Sequence, residues 1–343
     1  MGKNNKIILV SPLPPPIGGI ASWTEAYMRY VKKNNIDCKL VNSAVTGDRV
    51  KTGKINIIQE FKRLLALRDK IKEIIKNEKD VVIHYNASCF TKGLIRDFLV
   101  LRGLNTPIVY QCHCNLGTNI NNRLAYFMFK KICGIVKTIC VLNSDSLNFA
   151  KTFHNDVRYV PNFIEKIYYP QKEIKNELVD VCFVGRVSKG KGILELVEVA
   201  KQLPNIKFNI VGPMEIENLD ISIIPNIKYW GPRPNELVID ILKKMDAYVL
   251  PSYSEGFPLG VLEAMSCGLP IIATNVGSIP DMLGNSGGIL VEPGSSKQLI
   301  RAFDMLKDRK TRKDMSLYNI QKVRDEYLIN VVMNKFLSIY NGK

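Results

Sequence analysis

Short apolar runs alternate along the chain with longer segments in which apolar and polar residues mix at helical spacing. Such runs predict buried strands, such segments predict helices, and their regular alternation predicts a parallel sheet covered on both faces. In the first half the predicted strands are Ile7–Val10, Cys38–Val41, Val81–Tyr85, Ile108–Gln111 and Thr138–Leu142. The predicted helices lie near Ile20–Lys33, Ile57–Lys76, Thr91–Arg102 and Asn122–Cys133.

The alternation restarts after Glu165–Asn176, a polar stretch rich in Lys and Glu that is typical of a linker. In this half the predicted strands are Val181–Val184, Phe208–Val211, Ala247–Leu250, Pro270–Ala273 and Gly288–Val291. Helices are predicted near Gly192–Gln202, Glu236–Lys244, Leu259–Ser266 and Ser296–Lys307, and Lys313–Lys343 also has a helical pattern.

We therefore predict an α/β protein with two doubly wound, parallel-sheet domains. The N-terminal domain would span residues 1–165 and the C-terminal domain 166–320, with a last helix over 321–343 that crosses back to the N-terminal domain. Because ligands bind beyond the carboxyl ends of parallel strands, we expect a ligand in a cleft between two facing sheets.

The composition agrees with a cytoplasmic globular protein of two domains. The chain has 343 residues, of which 46% are hydrophobic and 23% charged. The apolar run Ile7–Val10 is too short for a signal peptide, and Pro107 interrupts the uncharged run Gly103–Asn122, so no membrane span is expected. The eight cysteines are scattered, and Cys112-His113-Cys114 has no second Cys/His pair at zinc spacing, so no metal site is expected.

The net charge of +16 is concentrated in the first half of the chain. Residues 1–165 carry 25 Lys and Arg against 12 Asp and Glu, whereas the remainder carries 23 against 20. Such a basic half indicates an anionic partner, which leaves a phosphate-bearing ligand, a nucleic acid or an anionic membrane.

Two turns that contain glycine follow predicted strands and precede predicted helices. In Gly185-Arg-Val-Ser-Lys-Gly-Lys-Gly192, backbone N–H groups and the helix N-terminus suit a phosphate, and Arg186 and Lys191 add positive charge. Gly18 and Gly19 expose backbone N–H groups at the corresponding turn of the first half. The alternative interpretations are a solvated basic turn and an ordinary tight turn.

The stretch SEGFPLGVLEAM contains two carboxylates, Glu255 and Glu263. Gly256 and Pro258 keep Glu255 in a loop, and Glu263 would sit about one turn inside a helix that begins near Leu259. Residues eight positions apart on a helix are roughly 12 Å from each other. Glycosidase carboxylates are about 5 Å apart in retaining enzymes and at most about 9.5 Å apart in inverting enzymes, so a hydrolase pair is disfavoured.

The combination of these motifs resembles family 4, the retaining glycosyltransferases of the GT-B fold, in which two Rossmann-like domains face each other across a cleft. Glu255 and Glu263 match the family's E-x7-E motif, and Ala264–Pro270 and Asn275–Pro280 match its continuation. Gly185-Arg186 with Lys191-Gly192 matches the G-R-x-x-x-x-K-G signature, and Gly18-Gly19 matches the N-terminal glycine loop. The resemblance covers most of the second half and only isolated positions of the first.

The resemblance implies a role for each matching residue. Arg186 and Lys191 would neutralise the diphosphate of a nucleotide-sugar donor, Glu255 would hold sugar hydroxyls, and Glu263 would accept hydrogen bonds from the ribose. His113, just past a strand end, would lie near the transferred sugar. The remaining donor-binding positions are Gly18, Gly19, Gly185, Gly256, Phe257, Pro258 and Leu259, where Pro258 alone has no N–H to offer.

The resemblance also implies transfer with retention at the anomeric carbon, most simply from a UDP-sugar. The leaving phosphate would help to deprotonate the acceptor. No Asp-x-Asp motif occurs in the chain, so we expect no metal requirement and no other cofactor. His84 also ends a predicted strand and is a weaker candidate for the acceptor side.

The family's N-terminal half binds the acceptor, and here that half is basic. Phe61–Lys72 and Arg123–Lys131 are basic and amphipathic, which suits peripheral docking on an anionic membrane and a polyprenyl-diphosphate-linked saccharide acceptor. Ordinary helices with solvated lysine faces are the alternative. The pathway would be capsule, O-antigen or exopolysaccharide synthesis.

Two other classes compete with a glycosyltransferase. A nucleotide-sugar epimerase of the same fold would reuse the donor site, although the E-x7-E block argues against it. A nucleic-acid-binding protein would explain the charge, but Tyr126 and Phe127 lie in an apolar helical run rather than on an open stacking platform, so no nucleic-acid partner is expected.

Overall fold

A computed structural model describes residues 5–14, 18–44, 57–170, 173–217, 219–221 and 223–342. The chain forms two compact units. The first unit comprises Met1–Asn162 and Ile329–Lys343, and the second comprises Phe163–Leu328. The division therefore falls three residues before the boundary expected from sequence, and the last helix groups with the first unit.

The first unit is built on a parallel sheet whose strand order is β2-β1-β3-β4-β5-β6. Its strands are β1 (Lys6–Ser11), β2 (Cys38–Asn42), β3 (Val81–Ala87), β4 (Ile108–Cys112), β5 (Thr138–Val141) and β6 (Val157–Tyr159). Its helices include α1 (Gly19–Lys33), α2 (Ile57–Asn77), α3 (Thr91–Leu101), α4 (Leu116–Asn119), α5 (Arg123–Cys133) and α6 (Ser144–Lys151). The strand order reverses between β1 and β3, which is where a doubly wound sheet opens a crevice at the carboxyl ends of its strands.

A buried carboxylate organises the apolar face beneath α3. Asp97 is fully buried and accepts hydrogen bonds from the hydroxyls of Tyr85 and Tyr110, each at 2.7 Å. The Arg96 guanidinium lies 2.7 Å from the same carboxylate and neutralises it. Because these three donors meet on one carboxylate, Asp97 fixes α3 against two central strands.

The second unit repeats the architecture with the strand order β12-β11-β10-β7-β8-β9, again all parallel. Its strands are β7 (Asp180–Val184), β8 (Lys207–Val211), β9 (Ile227–Gly231), β10 (Ala247–Leu250), β11 (Ile271–Thr274) and β12 (Gly288–Val291). Its helices include α7 (Ile193–Gln202), α8 (Asn235–Leu242), α9 (Leu259–Ser266), α10 (Ile279–Leu283), α11 (Ser296–Met305) and α12 (Arg309–Lys322). A short π-helical segment, Val323–Tyr327, leads from α12 to the terminal helix α13 (Ile329–Tyr340).

The predicted α/β class is confirmed, and the elements missed from sequence are edge strands and short helices. β6 and β9 lie at sheet edges, and each contains a single buried residue, so neither forms an apolar run. The short helix α6 is polar and begins where Asn143 caps the N–H of Ser146 at 2.7 Å. A four-residue helix and a five-residue helix, α4 and α10, are too short for a periodic pattern.

The terminal helix α13 packs in the first unit through aromatic side chains. Phe336 and Tyr340 of α13 stack on each other, and both contact His84 of β3. The Tyr340 hydroxyl hydrogen-bonds to His84 Nδ1 and lies 3.0 Å from the hydroxyl of Tyr27. This contact ties the end of the chain to the middle of the first sheet.

His84 therefore lies in the core, and the prediction that it lines the acceptor side is wrong. Its side chain is fully buried, and Nε2 lies 2.8 Å from Gln111 Oε1. Burial lowers the pKa of His84 to about 4, so the imidazole is neutral at pH 7. The sequence predicted His84 at a strand end, but β3 continues to Ala87, and the helix that covers His84 comes from a distant part of the chain.

Among the described residues, none of the helices has both the length and the apolar content needed to cross a membrane.

Replacing Tyr340 with Phe tests the anchoring of α13. Loss of the hydroxyl leaves His84 Nδ1 buried without its partner, which should lower the free energy of unfolding by about 1–3 kcal/mol. Tyr126→Phe is the matched control, because the Tyr126 ring is half exposed and should change stability by less than about 0.5 kcal/mol. Urea denaturation of both variants measures the difference, and equal midpoints would show that the contact does not anchor the helix.

Candidate active site

The turn after β7 is fixed against neighbouring strand ends by backbone contacts. The N–H of Val187 donates to the carbonyl of Pro213 at 2.8 Å, and its own carbonyl accepts from Glu215 at 3.0 Å. The chain then makes one 3-10 turn and passes through Gly192 at φ +71° before α7 begins. A Cβ on Gly192 would lie 2.0 Å from the carbonyl oxygen of Pro251, so only glycine lets this turn approach the end of β10.

That approach places Lys191 against Glu255. The Lys191 ammonium lies 2.5 Å from Glu255 Oε1, and the hydroxyl of Ser252 donates to the same oxygen at 2.6 Å. Ser252 is fully buried and the Glu255 side chain is only 7% exposed, so the ion pair is largely withdrawn from water. Both contacts involve Oε1. Within the described residues, Oε2 has no hydrogen-bond partner and remains available as an acceptor.

A second glycine lets another turn close over this loop. Gly277 has φ +57°, and a Cβ there would lie 1.9 Å from the carbonyl oxygen of Glu255. The N–H of Ser278 donates to the carbonyl of Gly256 at 3.3 Å. The loop that carries Glu255 is therefore held from both sides, by the turn after β7 and by the turn after β11.

The loop itself presents backbone donors. In the described structure no hydrogen bond takes the N–H of Gly256, Phe257 or Leu259. The Phe257 side chain is buried and its ring packs edge-on against Tyr327 at 5.9 Å, so this residue turns its backbone rather than its ring to the loop surface. Pro258 precedes the first residue of α9 in extended conformation, and it lacks an N–H that would need a partner.

Glu263 lies inside α9, as predicted, but its environment differs from that of Glu255. Its Oε1 accepts a hydrogen bond from Asn235 Nδ2 at 2.6 Å, and no Lys or Arg of the described residues pairs with it. Burial raises the pKa of Glu263 to about 7, although the hydrogen bond from Asn235 opposes the shift. The ionised form of Glu263 is thus destabilised at this position. A strongly shifted pKa of this kind is more typical of functional sites than of residues that stabilise the fold.

Arg186 lies at the surface beside this loop. Its guanidinium is 3.4 Å from Glu215, and the two side chains are 64% and 40% exposed. An exposed ion pair of this length contributes little energy, so the guanidinium is free to exchange Glu215 for a stronger anion.

In the first unit, Gly18 and Gly19 form the start of α1. Gly18 occupies the N-cap in extended conformation, and no side chain caps the helix. A Cβ at either glycine would meet nothing within 4 Å and both residues are exposed, so the turn is open to a ligand. The preceding residues 15–17 lie outside the described part of the chain.

His113 directly follows β4 and is partly exposed, in contrast to His84. Its Nε2 lies 2.9 Å from Asn86 Oδ1, and its ring meets Trp23 edge-on at 5.4 Å. Burial and the neighbouring His84 lower the pKa of His113 to about 3, so the ring is neutral across the physiological range. The flanking Cys112 and Cys114 are buried free thiols, and no cluster of ligating side chains suited to a metal ion occurs in the described residues.

The sequence-predicted residues of each unit meet at one sheet edge, and the structure adds residues that sequence reasoning missed. Ser252, Asn235 and Gly277 contact the two carboxylates or their loop, and Asn86 contacts His113. Only Gly277 carried a sequence signal, because it lies in the family-like continuation that follows Pro270. The others are polar residues whose importance depends on contacts between separate segments.

The chain also resembles known proteins across most of its length. Residues 165–322 match the model of the family described as glycosyl transferases group 1. The capsular polysaccharide biosynthesis glycosyltransferase CapM of Staphylococcus aureus is 23% identical over 92% of this chain and 92% of its own. The UDP-Gal:alpha-D-GlcNAc-diphosphoundecaprenol alpha-1,3-galactosyltransferase of Escherichia coli is 26% identical over 82% of each chain. Among solved structures, sucrose-phosphate synthase from Thermosynechococcus elongatus superposes with a TM-score of 0.76 over 98% of both chains at 18% identity.

The two parallel-sheet units and these relatives define the class of protein as a glycosyltransferase of the GT-B fold. The match to the glycosyl transferases group 1 model spans residues 165–322, which contain Arg186, Lys191, Glu255 and Glu263.

Replacing Glu263 with Gln tests the raised pKa. Between the usual pKa of about 4.5 and about 7, the folded protein binds more protons at Glu263 than the unfolded chain does, so stability falls as pH rises. A glutamine does not ionise and escapes this loss. The gain in Tm of Glu263→Gln over wild type should therefore be larger at pH 8 than at pH 5, as measured by calorimetry.

Glu236→Gln is the control, because Glu236 is exposed at the start of α8, and it should show no such pH-dependent gain. A difference in Tm that is equal at both pH values for Glu263→Gln would contradict the shift.

Proposed function

We propose that the protein transfers a hexose, with retention at the anomeric carbon, from a UDP-sugar to a saccharide acceptor carried on polyprenyl diphosphate. The product would be a growing capsule, O-antigen or exopolysaccharide chain. The names of CapM and of the Escherichia coli galactosyltransferase, which specifies a UDP-sugar and a diphosphoundecaprenol acceptor, support this choice of donor and acceptor.

The observation that carries the proposal is that Glu255 and Glu263 have different hydrogen-bond and charge partners in the second unit. Lys191 neutralises Glu255 and Ser252 donates a hydrogen bond to it, both at Oε1, so Oε2 is left to accept from a sugar hydroxyl. Glu263 has no cation, and it suits a ribose diol, whose hydroxyls donate to a carboxylate.

The proposed step needs positive charge where the diphosphate departs. The bond from the anomeric carbon to the diphosphate oxygen breaks, and the acceptor oxygen bonds to that carbon on the same face. The acceptor proton passes to the departing phosphate oxygen. Arg186 and Lys191 stabilise the negative charge that develops on the leaving group, and the free N–H groups of the Glu255 loop add to this stabilisation.

A surface of the first unit suits a lipid-linked acceptor. Asn122, the N-cap of α5, donates to Thr91 at the start of α3 at 3.0 Å, so the two helix N-termini are adjacent. They lie at the carboxyl edge of the first sheet, because each helix follows a strand of that sheet. We call their exposed side chains the basic apolar rim, which consists of Phe90, Lys92, Arg123, Leu124 and Phe127.

The basic apolar rim has the chemistry of a membrane-docking surface. Phe90, Leu124 and Phe127 are each at least half exposed. The only acidic side chain on α3 or α5 is the buried Asp97, which Arg96 already neutralises. Exposed cations near an anionic bilayer contribute about 1 kcal/mol each, and the apolar side chains add burial in the headgroup region.

Replacing Lys191 with Met tests the donor site. Transfer from the UDP-sugar to a polyprenyl-diphosphate GlcNAc acceptor, followed by mass spectrometry, should fall by about 100-fold or more, because a charge at the leaving group is lost. Lys189→Met is the matched control in the same turn, where the side chain is exposed, and it should stay within about twofold of wild type. The rate should also be unchanged by EDTA.

Several outcomes would contradict the proposed function. Release of free sugar without an acceptor would indicate an epimerase-like activity, and an inverted product by NMR would exclude retention. Equal losses in Lys189→Met and Lys191→Met would mean that Lys191 has no specific role.

The membrane contact is tested by sedimentation with vesicles that contain anionic phospholipid. Wild-type protein should sediment at low salt and less at high salt, and Phe90→Ser with Phe127→Ser should reduce binding at least about tenfold. Leu317→Ser, on the exposed face of α12 in the second unit, is the control and should bind like wild type. Wild-type protein that stays in the supernatant at low salt would rule out docking.

A further inference from the structure

Four side chains form a hydrogen-bonded row at the carboxyl edge of the first sheet. Ser11 ends β1, Asn86 lies near the end of β3, and His113 follows β4. His113 Nε2 is 2.9 Å from Asn86 Oδ1, and Asn86 Nδ2 is 2.8 Å from Ser11 Oγ. Ser11 Oγ is in turn 2.5 Å from the hydroxyl of Thr24 on α1. Ser11 and Thr24 are fully buried, and Asn86 nearly so.

The direction of every hydrogen bond in the row follows from its far end. The Thr24 hydroxyl lies 2.8 Å from the backbone carbonyl of Ile20, which only accepts. The Thr24 hydroxyl therefore donates its single proton to Ile20, and it accepts a hydrogen bond from Ser11. The Ser11 proton is then committed to Thr24, so Ser11 has only an acceptor lone pair left for Asn86.

This direction fixes the amide of Asn86 and, through it, the ring of His113. Since Ser11 accepts, Asn86 must turn its NH2 group to Ser11 and its carbonyl oxygen to His113. A carbonyl oxygen requires a donor, so the proton of the neutral imidazole is on Nε2. The second ring nitrogen, Nδ1, then carries a lone pair, and no described residue hydrogen-bonds to it.

We propose that Asn86 is a positioning residue that holds His113 as the Nε2–H tautomer, so that Nδ1 accepts a hydrogen bond from a hydroxyl of a sugar bound at this edge of the first sheet. The assignment of a sugar rests on the proposed function, whereas the tautomer rests on the hydrogen-bonded row alone. Ser11 and Thr24 act through Asn86 and set the orientation of its amide. The low pKa of His113 agrees with a ring that accepts while it stays neutral.

The tautomer is measured by long-range 1H–15N NMR of the histidine side chains in the ligand-free protein, with His113→Gln to identify the signals. Wild type should show Nε2 protonated and Nδ1 bare between pH 6 and pH 9. Thr24→Val is three hydrogen bonds from the ring and nearly isosteric. It frees the Ser11 proton, so Asn86 can reverse its amide and His113 should become a mixture of both tautomers.

Asn86→Leu removes the acceptor for Nε2–H altogether and should also give mixed tautomers. Thr138→Val is the matched control, because Thr138 is a buried threonine of the same sheet whose hydroxyl donates to Asp156 at 2.7 Å and not to the row. It should keep the wild-type spectrum. A wild-type ring protonated on Nδ1, or unchanged tautomers in both Thr24→Val and Asn86→Leu, would overturn the proposal.

The kinetic readout is kcat/KM with the nucleotide sugar that gives turnover. It should fall most in Asn86→Leu, to about one tenth, because there the ring loses both its fixed tautomer and the hydrogen bond that orients it, and this is the size expected for one lost hydrogen bond. Altered tautomers in Asn86→Leu with kcat/KM within about twofold of wild type would overturn the role in sugar binding. A wild-type protein without transfer from any nucleotide sugar would instead reject the proposed function, while the NMR result still decides the tautomer.

Discussion

The buried carboxylate of Glu255 at the end of β10 is the constraint on which the second unit's site depends. A charge with so little access to water needs a cation and hydrogen bonds, and breaking such a pair by removing one partner costs about 3–5 kcal/mol. Lys191 and Ser252 meet that need on the same oxygen. Because Lys191 comes from a different turn, the ion pair joins two β–α loops that are 64 residues apart in sequence.

The close approach of these loops explains why glycine occupies positions 192 and 277. The turn after β7 reaches Glu255 only because Gly192 avoids a clash with Pro251, and the turn after β11 closes because Gly277 avoids one with Glu255 itself. The turns after β7 and β11 thus close on the loop that carries Glu255, and together they form a preorganised surface with free backbone donors. Glu263, about one turn inside α9, has no such cation among the described residues, and burial raises its pKa, so the fold does not stabilise its ionised form.

The first unit uses a different device at its own sheet edge. There, a row of hydrogen bonds between uncharged groups runs from Ile20 to His113, and each bond sets the direction of the next. His84 in the middle of β3 and His113 just after the adjacent β4 therefore lie in different environments. His84 is sealed beneath α13 by Tyr340, whereas His113 is held by one nitrogen and keeps the other accessible. The burial of each histidine depends on which residues pack over its ring.

The sequence by itself determined the repeated strand–helix alternation, the loop position of Glu255, the helical position of Glu263 and the two glycine turns. These features are local, since hydrophobic periodicity, glycine and proline act within a few residues of the chain. Edge strands such as β9 escaped prediction because they bury too little surface to form an apolar run. Only the tertiary structure decided that Asn235 meets Glu263, that Asn86 orients His113 and that α13 buries His84. Those contacts join segments 27 to 256 residues apart, and no local pattern encodes which distant polar side chain will satisfy a buried one.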